Sequence, residues 1–471
     1  MTTLKTPPLI EARVIDFIPE NERHGKPFSQ FTLWFGANLQ ITAIVTGSLA
    51  VVLGGDAFWS IIGLLIGQLI GGAIMALHGM QGPKLGLPQM VSSRAQFGVL
   101  GASIPIVLVC VLYMGFNTTG LVLAGQAISQ LAHISNTAGI LTFAAIIITS
   151  AMIGYRFIHR LGRIATIFGI IAFSYLFVRL LLVNDVSLLL ENRHFSWHSF
   201  LIAVSLSASW QISFSPYASD YSRYLPSNTS SSKIFLAIWS GSVLGSQISM
   251  VLGVFAAALA GSHFAGNEVG YIVSLGASGV MAALLYFSIA FGKITISTLN
   301  AYGSLMCLTT IASGFRRQIS HNRYQRLAVV IFIVAVSTCL AFLAKDEFLR
   351  AFKAFLLFLL TFFTPWAAIN IVSFYFVSKG HYDNAALMDP DGCYGRWNFF
   401  GIGIYFLGVL IQIPFLDSAL YTGALYTWLG TDISWIVGLV IPAVLYWLFG
   451  KQKAGQVAPQ ENETELTEHG Q

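Results

Sequence analysis

Two apolar stretches of this chain place side-chain amides and indoles beside residues that interrupt helices. In the first, Trp34, Asn38, Gln40 and Thr42 surround Gly36 and Ala37; in the second, Trp210, Gln211 and Ser213 precede Pro216. An amide presents a donor and an acceptor together, and an aromatic ring presents a flat apolar face. Together they suit a planar, uncharged heterocycle that stacks on the ring and pairs its edge with the amide. Tyr113 and Asn117 make another such pair, four positions apart and so on one helical face, with Gly115 between them to permit close approach. No acidic residue accompanies these candidates, which disfavours amino acids and polyamines as solutes. The run Gly292-Lys293-Ile294-Thr295-Ile296-Ser297-Thr298 supplies hydroxyls. With carbonyls bared by unwinding around Ala37 and Gln40, they suit a small hard cation. Lys293 is an ionisable group in an apolar stretch and admits two readings: an amine that takes up a proton or substitutes for a cation, or a side chain that snorkels from a shallower depth. Asn38 and Gln40 also admit two, as site residues or as bonds between neighbouring helices.

Broken helices of this kind survive inside a bilayer only where they line a cavity or hold a solute. The composition agrees with a membrane setting. Of 471 residues, 55% are hydrophobic and 10% charged, and mean hydropathy is +0.72, whereas soluble domains carry roughly 25% charge. Apolar runs fall near 28–52, 58–78, 99–130, 138–154, 164–183, 199–219, 234–260, 276–311, 327–344, 354–377, 398–416 and 435–450. The fold class expected is an all-α membrane protein with about twelve transmembrane helices of roughly 20 residues each. No length remains for a soluble catalytic domain, so an enzyme is not expected, nor a cofactor. The third and eighth runs exceed what a bilayer needs and should tilt. Runs one and six carry the breaks, so spans one to five (28–183) repeat as six to ten (199–377). An odd repeat length inverts one half against the other. Pro216 removes a backbone donor and leaves carbonyls unpaired around Ile212 and Ser213.

The two spans within 398–450 lie outside that repeat. Residues 1–27 read as a cytoplasmic segment without a signal peptide, and 451–471 as a disordered cytoplasmic tail. Basic residues such as Arg23, Lys84, Arg156, Arg223, Arg316 and Lys451 gather on one side, against Arg193, Lys345, Arg350 and Lys353 on the other. By the positive-inside rule both termini are cytoplasmic, and the net charge of +5 reports topology, not a nucleic acid partner. The Gly- and Pro-rich segment from His78 to Gln89 reads as an ordered loop, either a gate or a tight connector. Cys110, Cys307, Cys339 and Cys393 are too scattered for a metal motif and are expected unpaired.

Particular motifs resemble the nucleobase-cation symporter-1 family, in its cytosine and purine permease branch. They are Glu22-Arg23-His24-Gly25, Trp34-Phe35-Gly36-Ala37-Asn38, Gly82-Pro83-Lys84-Leu85-Gly86, the run from Tyr217 to Pro226, Leu299-Asn300-Ala301-Tyr302 and Thr364-Pro365-Trp366-Ala367-Ala368-Ile369-Asn370. The resemblance implies a leucine-transporter-like fold of five-plus-five inverted repeats with two added C-terminal helices, working by alternating access. It implies a substrate site among helices one, three, six and eight, with Tyr113 and Asn117 on helix three, Trp210 and Gln211 on helix six, and Asn300 as the amide on helix eight. It also implies that a sodium site, where one exists, falls near Ala37, Gln40, Gly292, Thr295 and Ile296. Here Ile296 lacks the hydroxyl of the sodium-coupled pattern and Lys293 lies beside it, so proton and sodium both stand as coupling ions. Ser373 stands where that pattern has an acid.

The function expected is a monomeric importer of a neutral nucleobase or related heterocycle in the cytoplasmic membrane, driven by cation symport. Allantoin, a hydantoin or a vitamin pyrimidine satisfies the same rings and amides. The rival class is a passive channel or facilitator, which needs a continuous polar pore.

Overall fold

The computed structural model describes residues 15–153, 155–315, 323–418 and 421–454. The first apolar run forms α1 (Pro27–Asn38) and α2 (Ile41–Val52), which meet at a 60° bend. After α3 (Ala57–Gly79) come three short helices, α4 (Gln81–Leu85), α5 (Gln89–Ser92) and α6 (Arg94–Phe97). The first half ends with α7 (Ser103–Ala132), α8 (Asn136–Ile153), α9 (Tyr155–Val183) and the short α10 (Val186–Glu191). The second half repeats the plan. Its interrupted pair is α11 (Trp197–Ile212) and α12 (Ala218–Ser222), followed by α13 (Ser231–Ala260), the short α14 (Glu268–Ser274), α15 (Gly279–Phe315), α16 (Arg323–Ala344) and α17 (Phe348–Val372). Outside it lie α18 (Phe399–Leu410), the short α19 (Ala424–Leu429) and α20 (Ser434–Ala454).

Helix therefore covers every apolar run, and among the described residues the only β pairing is an isolated bridge between Asp417 and Thr422. Five helical segments are long and apolar enough to cross a bilayer, or six when the bent α1–α2 pair counts as one. Two boundaries move. The third run starts at Ser103, not 99, because Gly98 adopts φ +81° and Val99, Leu100 and Gly101 donate their amides to Gly395 and Arg396 carbonyls. The last helix runs on to Ala454; the remainder of the expected tail, 455–471, lies outside the described residues. All four cysteines are unpaired.

What locks the interrupted helices in place is close packing on small residues. Gly63, Gly67 and Gly71 recur every fourth position along one face of α3, and α11 lies directly on them. A Cβ on Gly67 would sit 2.1 Å from the Val204 carbonyl oxygen. In the second half Gly241, Gly245 and Gly253, with Ser249 between the last two, stripe one face of α13, and α1–α2 lies on them, with the Ile44 carbonyl oxygen 1.8 Å from a Cβ built on Gly253. Each broken element is thus held by a helix of the other half through backbone contact, the usual way helices associate without a hydrophobic drive between them. Replacing Gly67 or Gly253 by Val should cost about 3 kcal/mol or more through overpacking. The check is the yield of monodisperse protein and its melting midpoint in detergent, with Gly403→Val, where a Cβ meets nothing, as the tolerated control.

The segment from His78 to Gln89, expected as a loop, is largely helical, with α3 running to Gly79 and α4 spanning Gln81–Leu85, and it is bolted down and mostly buried, Lys84 being exposed. Ser222 Oγ donates to the Gly79 carbonyl at 2.6 Å, the Gln89 amide donates to Asp220 Oδ1 at 2.8 Å, and Gln81 Nε2 donates to Asn370 Oδ1 at 2.8 Å. It ties α3 to α12 and α17, with the His78 and Trp366 rings stacked 4.8 Å apart. Ser373 lies nearby, accepting from Gln96 Nε2 at 3.3 Å and sharing a 3.0 Å bond with Tyr382. At the same end the Ser227 amide donates to Glu20, which holds that carboxyl below its ordinary range with help from Arg23.

Candidate functional site

The break between α1 and α2 leaves helix-end carbonyls that need donors. Asn38 Nδ2 reaches back to the Trp34 carbonyl at 2.7 Å, the Leu39 amide takes that of Gly36 at 3.2 Å, and Gln40 Nε2 takes that of Ala37 at 2.9 Å. The Asn38 carbonyl accepts from Ser249 Oγ at 2.9 Å. Carbonyls that sequence reasoning left bare for a cation are therefore occupied by the protein's own donors. At the second break Ser213 Oγ donates to the Trp210 carbonyl at 2.7 Å and a turn at Ser215–Tyr217 carries Pro216.

Side chains from both breaks meet in one buried network. Trp210 Nε1 donates to Asn38 Oδ1 at 2.7 Å, and Asn38 Nδ2 also donates to Ser242 Oγ at 3.1 Å. Ser242 Oγ donates to Gln211 Oε1 at 2.6 Å, Gln211 Nε2 to Ser246 Oγ at 2.8 Å, and Ser246 Oγ to Gln68 Oε1 at 2.6 Å. Asn38 and Gln211 are fully buried, and their amides face α3 and α13. Sequence reasoning passed over Gln68, Ser242, Ser246 and Ser249; a polar residue at every third or fourth position of α13 was the available signal.

Asn117 differs. It is fully buried, yet neither its Oδ1 nor its Nδ2 has a partner. Asn300 Nδ2, Thr295 Oγ1 and Ser297 Oγ on α15 are also buried without partners. These groups share a level. Tyr113 on α7 lies against Gly303 of α15, and Gly120 lies against Ser297 and Lys293, so the two helices run antiparallel and Asn117 falls opposite the stretch around Asn300. Aromatic rings complete the surroundings. Tyr113 stacks on Tyr217 at 5.5 Å, Phe116 meets the Trp210 ring edge-on at 5.7 Å, and Phe214 packs on both Trp34 and Trp210. Unsatisfied buried amides are costly, and this group of them lies beside aromatic rings.

The cavity under Tyr113, lined by Pro216, Asp220, Gly303 and Cys307, has room for about 20 Å³, the space of a single water. At the opposite end a cavity of about 420 Å³ is bounded by Leu49, Val52, Glu268, Phe348 and Lys353.

Lys293 sits at the joint of the first break. Its Nζ donates to Thr42 Oγ1 at 2.8 Å and to Gln40 Oε1 at 3.1 Å, and the residue is 3% exposed. The snorkelling reading does not hold, since the amine is directed inward. Of the residues read as a cation site, Gln40, Lys293 and the Ala37 carbonyl converge; Thr295 keeps an unpartnered hydroxyl, and Gly292 faces open space. Among the described residues there is no cluster of His, Cys, Asp and Glu that could hold a metal.

A sequence profile described as a permease for cytosine/purines, uracil, thiamine and allantoin matches residues 17–438. A Bacillus subtilis protein named "Putative purine-cytosine permease YxlA" is 35% identical, over 94% of this chain and 96% of its own. The Emericella nidulans purine-cytosine permease fcyB is 24% identical over 79% of this chain and 74% of its own. Among solved structures, Mhp1, a nucleobase-cation-symport-1 family transporter in a closed conformation with bromovinylhydantoin bound, superposes with a TM-score of 0.75 at 19% identity, covering 97% of this chain and 98% of the other. Its inward-facing form gives 0.76 at 20% identity, covering 98% and 97%.

Proposed function

Because the chain belongs to the cytosine and purine permease branch of the nucleobase-cation symporter-1 family, we propose that it imports a neutral nucleobase or related heterocycle by cation symport with alternating access. It is a transporter of nucleobase type, not an enzyme, and it has the leucine-transporter-like fold. The observation that carries the reading is the unpartnered amide of Asn117 facing the level of Asn300 between aromatic rings.

In this reading a flat base lies between Tyr113 and Trp210 and pairs an N–H and a carbonyl with Asn117, while Asn300 adds a donor. Asn38, Gln211 and Ser213 hold Trp210 and the two breaks in position. Entry then requires the two interrupted helices to part from the helices they pack on. The His78–Gln89 segment, bonded to α12 and α17, is placed to seal one end. A membrane potential of 100 mV provides about 2.3 kcal/mol per charge, enough for an accumulation on the order of fortyfold with one ion. The protein acts in the cell membrane with both termini cytoplasmic, as a monomer with lipid around it.

The test is competition for uptake in whole cells by cytosine, adenine, hypoxanthine, uracil, allantoin and thiamine, with and without a protonophore. One of these should compete strongly and accumulate above the medium, and collapse of the ion gradient should reduce uptake to equilibration. Accumulation-free uptake indifferent to the protonophore and to sodium would instead identify a passive facilitator.

A further inference from the structure

We infer that the Lys293 ammonium fills the place of the coupling cation beside the first break, so that this protein binds its base without sodium. The inference rests on the transport reading above but concerns a different set of atoms. Nζ bridges α15 to the break by donating to Gln40 Oε1 and Thr42 Oγ1. Gln40 Oε1 is among the oxygens a small hard cation could use there, and the Ala37 carbonyl, another of them, already accepts from Gln40 Nε2. The Ile296 side chain supplies no oxygen. The lysine stem has a prepared path, because a Cβ on Gly120 of α7 would come within 3.1 Å of Lys293 Cε. Among the described residues no carboxylate forms an ion pair with Lys293, so no counter-charge is present to support a second cation at contact distance. Like charges this close repel strongly where water is excluded. A sodium ion at the joint would have to displace the amine from Gln40 and Thr42, leaving only the Thr295 and Ser297 hydroxyls unpartnered nearby, while a tethered ammonium already links α15 to the α1–α2 joint.

The experiment measures radioactive sodium binding to the purified full-length protein, and base affinity in sodium chloride against choline chloride, for wild type, Lys293→Met and Lys293→Ala. Wild type should show no saturable sodium binding and equal base affinity in the two salts. Lys293→Met keeps the bulk but loses the bridge, and base affinity should fall about tenfold in both salts, the equivalent of one charge-assisted hydrogen bond. Lys293→Ala opens the place, and sodium should restore affinity relative to choline. Saturable sodium binding by wild type overturns the inference, as does a Lys293→Ala protein whose affinity is as indifferent to sodium as wild type. The wild-type sodium measurement needs neither a folded variant nor a known base. Failure of every base to bind would count against the transport reading alone.

Discussion

Asn117→Leu should lose base binding by on the order of a hundredfold, about 2.7 kcal/mol, while melting no lower than wild type. The two halves of that expectation come from the same atoms. Both polar atoms of the Asn117 amide are buried without a partner, a condition that costs about 1–3 kcal/mol for a neutral group. Leu has similar volume and removes the burden, so stability should hold or rise. The bound base loses two hydrogen bonds at once and meets an apolar surface instead. Residues that weaken the fold while serving a ligand commonly show this opposition of stability and activity. Equilibrium binding of the strongest competing base and the melting midpoint, taken on one preparation, check it. Unchanged affinity would remove Asn117 from the site, and a large drop in stability would make it a structural amide.

Asn38→Leu should behave in the opposite order. Its amide accepts from Trp210 Nε1 and donates to Ser242 Oγ and the Trp34 carbonyl, so the substitution orphans an indole N–H inside the bundle and frees the end of α1. Individual bonds of this type in membrane proteins average about 0.6 kcal/mol with a maximum near 1.7, and three lost together should cost about 2 kcal/mol. The melting midpoint should fall clearly below that of Asn117→Leu. Base affinity should fall as a consequence, because Trp210 loses the bond that orients its ring. A variant that melts like wild type yet fails to bind would show that Asn38 touches the base directly.

These two asparagines also show what the sequence can and cannot reveal. Both are amides in apolar stretches near aromatic residues, and residue type alone gives them the same role. Only the partners separate them, and the partners of Asn38 lie 172 and 204 positions away, at Trp210 and Ser242. The second break was legible at Pro216, which acts locally, but the first was misplaced by a few residues: α1 continues through Gly36 and Ala37 to Asn38, and the chain breaks at Leu39 and Gln40. The helices were legible too, through long apolar runs that leave few other options for a chain in lipid. Gly98 concealed the start of α7, since a residue at φ +81° ends apolar helix without changing the hydropathy around it. Lys293 was visible as an anomaly, but its direction depends on Gln40 and Thr42, more than 250 positions away. The glycine stripes on α3 and α13 were present as a four-residue period, a signal of helix contact that gains meaning only when each stripe's partner is known.

The most direct measurement is an experimental structure of the full-length protein with its strongest competing base bound. The account predicts the base lying between the Tyr113 and Trp210 rings, with Asn117 Oδ1 and Nδ2 both within hydrogen-bonding distance of its edge. A base found elsewhere, such as in the cavity bounded by Leu49, Glu268 and Phe348, with Asn117 still unpartnered, would contradict it.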